Sequence, residues 1–222
     1  MCGRYNIRTN SADFAKLFGT DSAFEPPTRY NAAPTQMLPI VRMNGERRAS
    51  LARWGLIPSW AKDHKIGYRL INARSETVDE KPSFRSAFKS RRCLVPASGF
   101  YEWKKLDARI KQAHHIHRKD DGLFAFAGLW ERWTKGDEPI ESFTILTTSP
   151  NATLSELHDR MPVILPDDSH AVWLDPDVEP QALKELLRAC DDDLLDAYPC
   201  NRIVGNAQNE VPECIEPVAG DL

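Results

Sequence analysis

The sequence predicts an α+β fold: a curved, barrel-like and mostly antiparallel β-sheet core with helices at its periphery. Three observations carry this expectation. Short stretches rich in β-branched and aromatic residues recur between residues 38 and 165, helical periodicity is confined to a few short segments, and the strand-like pattern runs too continuously to leave a domain boundary. A chain of 222 residues, 41% hydrophobic and 27% charged, can fill such a core without disulfides or a structural metal. Residues 1–222 are therefore read as a single domain.

The elements follow in chain order. Ser11 to Phe18 predicts a helix, with Ser11 as its cap, Phe14, Leu17 and Phe18 as its apolar face and Gly19 as its stop. Pro26-Pro27 is a short breaker. Leu38 to Met43, Ala49 to Trp54, Cys93 to Ala97, Gly99 to Trp103, Leu123 to Trp130 and Phe143 to Thr148 predict strands. Ser83 to Lys89 predicts a short helix. Asp168 to Leu174 and Pro180 to Ala189 predict two more, the second from Ala182, Leu183, Leu186 and Leu187 at helical spacing.

Net charge is −3, but its distribution is uneven. Residues 166–222 hold 14 acids against 3 bases, which leaves residues 1–165 with 26 bases against 18 acids. The basic part is rich in arginine (Arg29, Arg42, Arg47, Arg48, Arg53, Arg69, Arg74, Arg85, Arg91 and Arg92), the side chain whose fork suits phosphate. A polyanion partner follows if these gather on one face; ordinary surface scatter is the alternative. The acidic segment is expected to be helical and to pack outside the basic face.

Several classes are excluded. No apolar run approaches the roughly 18 residues of a membrane span, and no secretory signal precedes the domain. Five cysteines at 2, 93, 190, 200 and 214, with no C-x-x-C pair, fit free thiols in a reducing cytoplasm. There is no Walker motif, no G-x-G-x-x-G and no H-E-x-x-H, so no cofactor is expected. His114-His115-Ile116-His117 invites a metal reading, because His115 and His117 would share one side of a strand. No second cluster supplies the remaining ligands, so an exposed strand is preferred.

The chemistry begins at Cys2. An aminopeptidase removes Met1 when residue 2 is small, which would leave Cys2 with a free α-amine. That amine titrates near about 7.7–8.0 and a free thiol near about 8.5, so both are close to their reactive forms at neutrality. Together they make a 1,2-aminothiol, which condenses with an aldehyde to a Schiff base and then a thiazolidine ring. A small buried residue near the start of the chain is the alternative. Glu102, in Gly99-Phe100-Tyr101-Glu102-Trp103, is an acid among aromatics whose raised pKa would suit proton transfer; an outward-facing strand residue is the plainer reading. His158 precedes Asp159-Arg160-Met161-Pro162, where a neighbouring acid could tune the imidazole; alone it reads as a loop histidine.

Taken together, these stretches resemble the SOS response-associated peptidase (SRAP) family. The matching segments are Met1 to Arg4, Arg29 to Pro34, Trp54 to Trp60, Ile71 to Thr77, Arg92 to Pro96, Gly99 to Lys104, His158 to Leu165 and, more loosely, Val204 to Glu213, in the family's order. The resemblance implies a β-rich fold with a positively charged cleft. It implies covalent capture of abasic sites in single-stranded DNA by Cys2, and autocatalytic release of Met1. It implies that Asn72 orients the ring-opened sugar, that Glu102 transfers protons, and that His158 assists sugar opening and crosslink reversal. Arg4, Arg74 and Arg160 would hold phosphates, and Pro34, Trp60 and Trp103 would stack or wedge against bases. The implied protein is a cytoplasmic monomer, nucleoid-associated during repair, with no membrane partner. The segment Lys111-Gln112-Ala113-His114-His115 lacks the proline and aromatic usual in the family. Two other readings stay open: a general thiol peptidase using Cys2 and His158, and a non-catalytic module for single-stranded nucleic acid.

Overall fold

The computed structural model describes residues 2–107 and 109–219. Its strands are β1 (Tyr5–Ile7), β2 (Arg29–Ala32), β3 (Met37–Asn44), β4 (Glu46–Trp54), β5 (Asn72–Arg74), β6 (Arg92–Ala97), β7 (Gly99–Lys105), β8 (Lys111–Arg118), β9 (Phe124–Trp133), β10 (Ile140–Thr148), β11 (Met161–Pro162), β12 (Ile164–Leu165) and β13 (Leu195–Pro199). The helices are α1 (Ser11–Phe18), α2 (Arg85–Ser90), α3 (Ala152–Ser155), α4 (His170–Leu174) and α5 (Pro180–Glu185).

Five strands close into a barrel in the order β10-β4-β3-β6-β9, with β9 pairing back to β10; every junction is antiparallel except β10 with β4. Alternate side chains of a closed barrel point to opposite faces, and the sequence obeys this. Leu38, Ile40, Ala52, Trp54, Cys93, Val95, Phe124, Phe126, Phe143 and Ile145 form one buried cluster. Their neighbours Val41, Leu94, Ala125, Ala127, Leu129 and Leu146 form another, with Phe14 and Phe18 of α1, Phe88 of α2 and Trp173 of α4. Strands covered on both faces read as continuous apolar runs, which is why LFAFAGLW is legible as a strand. A second, five-stranded sheet, β13-β8-β7-β1-β2, contributes Tyr5, Phe100 and Ile116 to the first cluster. The barrel-like α+β architecture is thus as the sequence predicts.

The departures are local. The cap of α1 is Asn10, whose side chain accepts from the Asp13 N–H at 2.9 Å, and Ser11 becomes the first helical residue. Gly19 does end the helix, at φ 65°, with its N–H bonded to Ala15 O. The fourth predicted helix ends at Glu185 instead of Ala189, and the third divides into a 3-10 turn, Asp167–Ser169, followed by α4. The acidic segment is only partly helical, since β13 adds an edge strand to β8. The histidine strand is not exposed either. β8 lies between β7 and β13, and His114 and His115 are buried. An Asn6 amide and the Tyr198 hydroxyl satisfy His115.

A strap of hydrogen bonds positions β5. Gly55 N–H bonds Phe143 O at 2.8 Å, Leu56 N–H bonds Leu70 O at 3.1 Å, and Trp54 Nε1–H bonds Ile71 O at 2.9 Å. The Trp54-Gly55-Leu56 segment therefore holds residues 70–71, which lead into β5. Gly55 has φ 118°, and a Cβ there would lie 2.6 Å from Gly67 O, a backbone atom that cannot step aside. Gly55→Ala is expected to cost roughly 3 kcal/mol of stability, the sum of strain and clash. Urea denaturation checks this: a midpoint unchanged from wild type would refute the strap.

Candidate active site

The position of Cys2 follows from β1. Tyr5 pairs with Phe100 and Asn6 with Gly99, antiparallel, and the Tyr101 N–H donates to Arg4 O at 3.0 Å. Continuing this register lays Cys2 and Gly3 along Glu102 and Trp103. From the other sheet, β5 runs parallel to β10 with Asn72 opposite Ile145, and Asn72 Nδ2 donates to Cys2 O at 2.8 Å. Cys2 therefore sits where the barrel and the five-stranded sheet meet, tied to both.

Burial sets the electrostatics. Cys2 is fully buried, and loss of solvent drives its thiol pKa well above the ordinary range, with the Glu102 charge adding to the effect. This overturns the expectation of a thiol close to its thiolate form. Glu102 is 2% exposed, and burial lifts its carboxyl to about 7, so at neutrality it is present in both protonation states. The charge of Asp159 also bears on that carboxyl, which places the His158–Asp159 loop on the Glu102 side.

His158 follows α3, where Asn151 caps the helix through the Leu154 N–H and the His158 N–H bonds Leu154 O at 2.9 Å. Its Nδ1 accepts from the Arg160 N–H at 3.0 Å and lies 2.8 Å from Asp159 Oδ1. One Nδ1 cannot both accept from the amide and donate to the carboxylate. Burial lowers the imidazole pKa, so the ring is neutral at neutrality, with its proton on Nε2 where Nδ1 accepts from the Arg160 amide and on Nδ1 where it donates to Asp159.

The remaining candidates divide. Arg74 is exposed at the end of β5, two residues from Asn72. Pro34 is half-buried in the loop after β2, and Trp103 is half-buried against Tyr101, Ala113, Cys200 and Val204. Trp60 is 51% exposed, with Nε1 bonded to Pro82 O, and makes no bond to the four reactive candidates. Arg4 is half-buried and Arg160 buried, and both are engaged within the protein. Arg4 donates to Asn31 Oδ1 and to Val204 O, each at 2.8 Å. Arg160 is buried and donates to both carboxylate oxygens of Glu76 and to Thr147 O.

Three residues were missed by the sequence reading. Asn31 donates to Val204 O, Asn206 O and Asn209 O, while Glu210 accepts from the backbone N–H groups of Tyr30 and Asn31. The Arg29–Pro34 segment is thus the surface on which the Val204 to Glu213 stretch packs. Glu76 is the third. Asn31 and Glu76 both lie inside matched segments, which is the signal that could have found them. Among the described residues, no group of three or more His, Cys, Asp or Glu could hold a metal ion. A cavity of about 750 Å³ lined by Phe124, Leu165, Leu186 and Cys190 shares none of the site residues. Among the described residues, no helix is long and apolar enough to cross a membrane.

Comparison with known proteins gives concordant results. The sequence profile described as SOS response associated peptidase (SRAP) matches residues 1–207. The abasic site processing protein YoqW of Bacillus subtilis is 45% identical, covering 97% of this chain and 99% of its own. The abasic site processing protein HMCES of Mus musculus is 32% identical over 85% of this chain and 64% of that longer one. A crystal structure of a protein from Bacteroides thetaiotaomicron superimposes with a TM-score of 0.87 at 26% identity, covering 98% of this chain and all of that one.

The Glu102 geometry yields a test through stability. Its folded pKa is raised from about 4.5 to about 7, so the folded state favours the protonated acid. The stabilisation is fully present below about pH 4.5 and is lost as pH rises through 7, a difference of at most about 3 kcal/mol. Glu102→Gln should flatten the fall in stability between pH 5 and pH 8, read by urea denaturation at the two pH values. Equal pH dependence in the two proteins would mean that the carboxyl is not held as described.

Proposed function

The chain belongs to the SOS response-associated peptidase family, and on that premise we propose that it captures abasic sites in single-stranded DNA covalently through Cys2. The observation that carries the proposal is the Asn72 Nδ2 bond to Cys2 O at 2.8 Å, which holds a cysteine at the chain's start beside a buried acid. The names of the relatives, abasic site processing proteins, supply the substrate.

Hydrolysis of the Met1–Cys2 peptide bond frees the α-amine; in this reading the chain performs the step itself. The amine adds to C1′ of the open-chain sugar aldehyde, and the resulting carbinol loses water to give a Schiff base. Cys2 Sγ then adds to the imine carbon while the thiol proton passes to nitrogen, closing a thiazolidine. No oxidant or reductant is consumed. The high thiol pKa gives the order: amine first, sulfur second, because the thiol needs a base at the moment of attack. Glu102, near 7, serves both halves, giving a proton to the departing hydroxyl and accepting one from the thiol. Asn72 orients the opened sugar. His158, with Nε2 protonated, assists opening of the sugar and reversal of the crosslink.

Arg74, exposed beside Asn72, is the phosphate contact best placed for a strand entering the site. Pro34, Trp60 and Trp103 provide apolar surface for flanking bases. The bond from Arg4 to Asn31 assigns that arginine first to holding β1.

Incubation with single-stranded DNA carrying one abasic site should give a heat-stable adduct whose mass is protein without Met1 plus DNA minus one water. Cys2→Ala should lower the yield of stable adduct by at least 100-fold, and a variant with an extra residue retained before Cys2 should do the same. Wild-type yield from Cys2→Ala, read by intact mass and denaturing gel, would sink the proposal. Cys2→Ser separates the two steps: it keeps the amine, so a Schiff base should still be trapped by borohydride while the stable ring is lost.

A further inference from the structure

Arg160 was expected at a phosphate, and its surroundings argue otherwise. Its guanidinium lies in a bidentate pair with Glu76, at 2.5 and 2.9 Å, and its third bond goes to Thr147 O at 2.6 Å. The side chain is 9% exposed, while Glu76 is 49% exposed. Thr147 lies in β10, opposite Arg74 of β5 on one side and Pro162 of β11 on the other. Thr147 Oγ1 also donates to Ala73 O at 3.4 Å. The Arg160 backbone N–H meanwhile donates to His158 Nδ1. One residue thus links the turn after Asn72-Ala73-Arg74, the strand between, and the histidine.

We infer that Glu76 and Arg160 form a clamp that sets His158 against Asn72, making Glu76 a positioning residue for the reaction and Arg160 an internal fastener. The fork geometry of the pair fixes direction as well as distance, which a lysine could not do. The clamp holds the Arg160 amide where it dictates the His158 tautomer, and it anchors β5 so that Asn72 meets Cys2. The charges of Asp159 beside it and of Lys111 of β8 bear on His158.

The inference rests on the reading of His158 and Asn72 as working side chains, and the test keeps the two apart. Glu76→Gln preserves shape and removes the charge. In the DNA-free protein, nitrogen NMR of the His158 ring should show the Nε2–H tautomer in wild type and a mixed tautomer in Glu76→Gln. With abasic single-stranded DNA at saturation, the variant should form adduct at least 10-fold more slowly. Its affinity for intact single-stranded DNA should stay within twofold of wild type. The salt dependence of that affinity should also be unchanged in Arg160→Gln. A phosphate contact by Arg160 predicts the opposite pattern: a salt slope lower by about one in Arg160→Gln, and tighter DNA binding in Glu76→Gln as the arginine is released. That pattern, or an unchanged His158 tautomer with an unchanged rate, overturns the clamp. If the wild-type protein forms no adduct, the functional reading fails while the NMR arm still decides the clamp. Should Glu76→Gln unfold, Glu76→Asp is read in its place, with the same expected direction.

Discussion

In the proposed reaction, Cys2 freed of Met1 has a covalent tether on one side only. Everything else that fixes it must be non-covalent, and here that constraint organises the whole site. Three sets of hydrogen bonds meet it. Asn72 holds the Cys2 carbonyl, Tyr101 holds the Arg4 carbonyl, and the Arg4 guanidinium is pinned by Asn31 and Val204. The first comes from β5 beside the barrel, the second from β7 of the five-stranded sheet, and the third from β2 together with the C-terminal segment. Each partner is itself secured: Asn72 by the Gly55 strap and the β10 pairing, Tyr101 by its hydroxyl on Tyr30 O, Asn31 by three backbone carbonyls. The fold amounts to a frame for two or three residues of extended chain.

Burial is the second organising quantity, and it acts in opposite directions on the two reactive groups. It makes the thiol a poorer nucleophile at rest and the carboxyl a better proton carrier. A thiolate poised at neutrality would be oxidised or alkylated by whatever oxidant or electrophile reached it. In the proposed reaction, the neutral thiol beside an acid near 7 is activated only when an imine carbon forms within reach. The same burial costs stability at alkaline pH, a familiar exchange at functional sites.

How much of this was legible in the sequence depends on the range of the interactions involved. The barrel strands were readable because each is covered on both faces, which writes a continuous apolar run. Helix α1 was readable because its periodicity and Gly19 are local. The cap moved by one residue because Asn10 and Ser11 are both good acceptors, and only the chain entering from β1 decides between them. His114 and His115 were misjudged as exposed because their cover comes from β13, 80 residues away in sequence and acidic in composition. Cys2, Glu102 and His158 could be singled out by chemistry, but their convergence rests on pairings between distant segments. The Arg160–Glu76 pair spans 84 residues and leaves no local trace.

The charge pattern was misleading for a related reason. The surplus of arginine suggested a broad polyanion face, yet most of those arginines are engaged within the fold. Arg29 pairs with Glu210, Arg42 with Glu141, Arg48 with Glu46 and Arg91 with Glu131. Arg47 bonds Phe18 O, and Arg92 bonds Phe88 O, Lys89 O, Trp173 O and Asp175 O. Among the described residues, Arg69, Arg74 and Arg85 make no such bond, and Arg53 lies over the exposed Tyr68 ring at 5.5 Å. Arg74 is the one of these beside the reactive residues. On the proposed function, few free guanidinium groups would make the arginine share of the counterion-release grip on DNA modest. On the proposed function, a protein that closes a covalent ring on its target has no need of a tight electrostatic grip: residence would be set by the bond, and the cationic surface would have only to deliver the strand to Cys2.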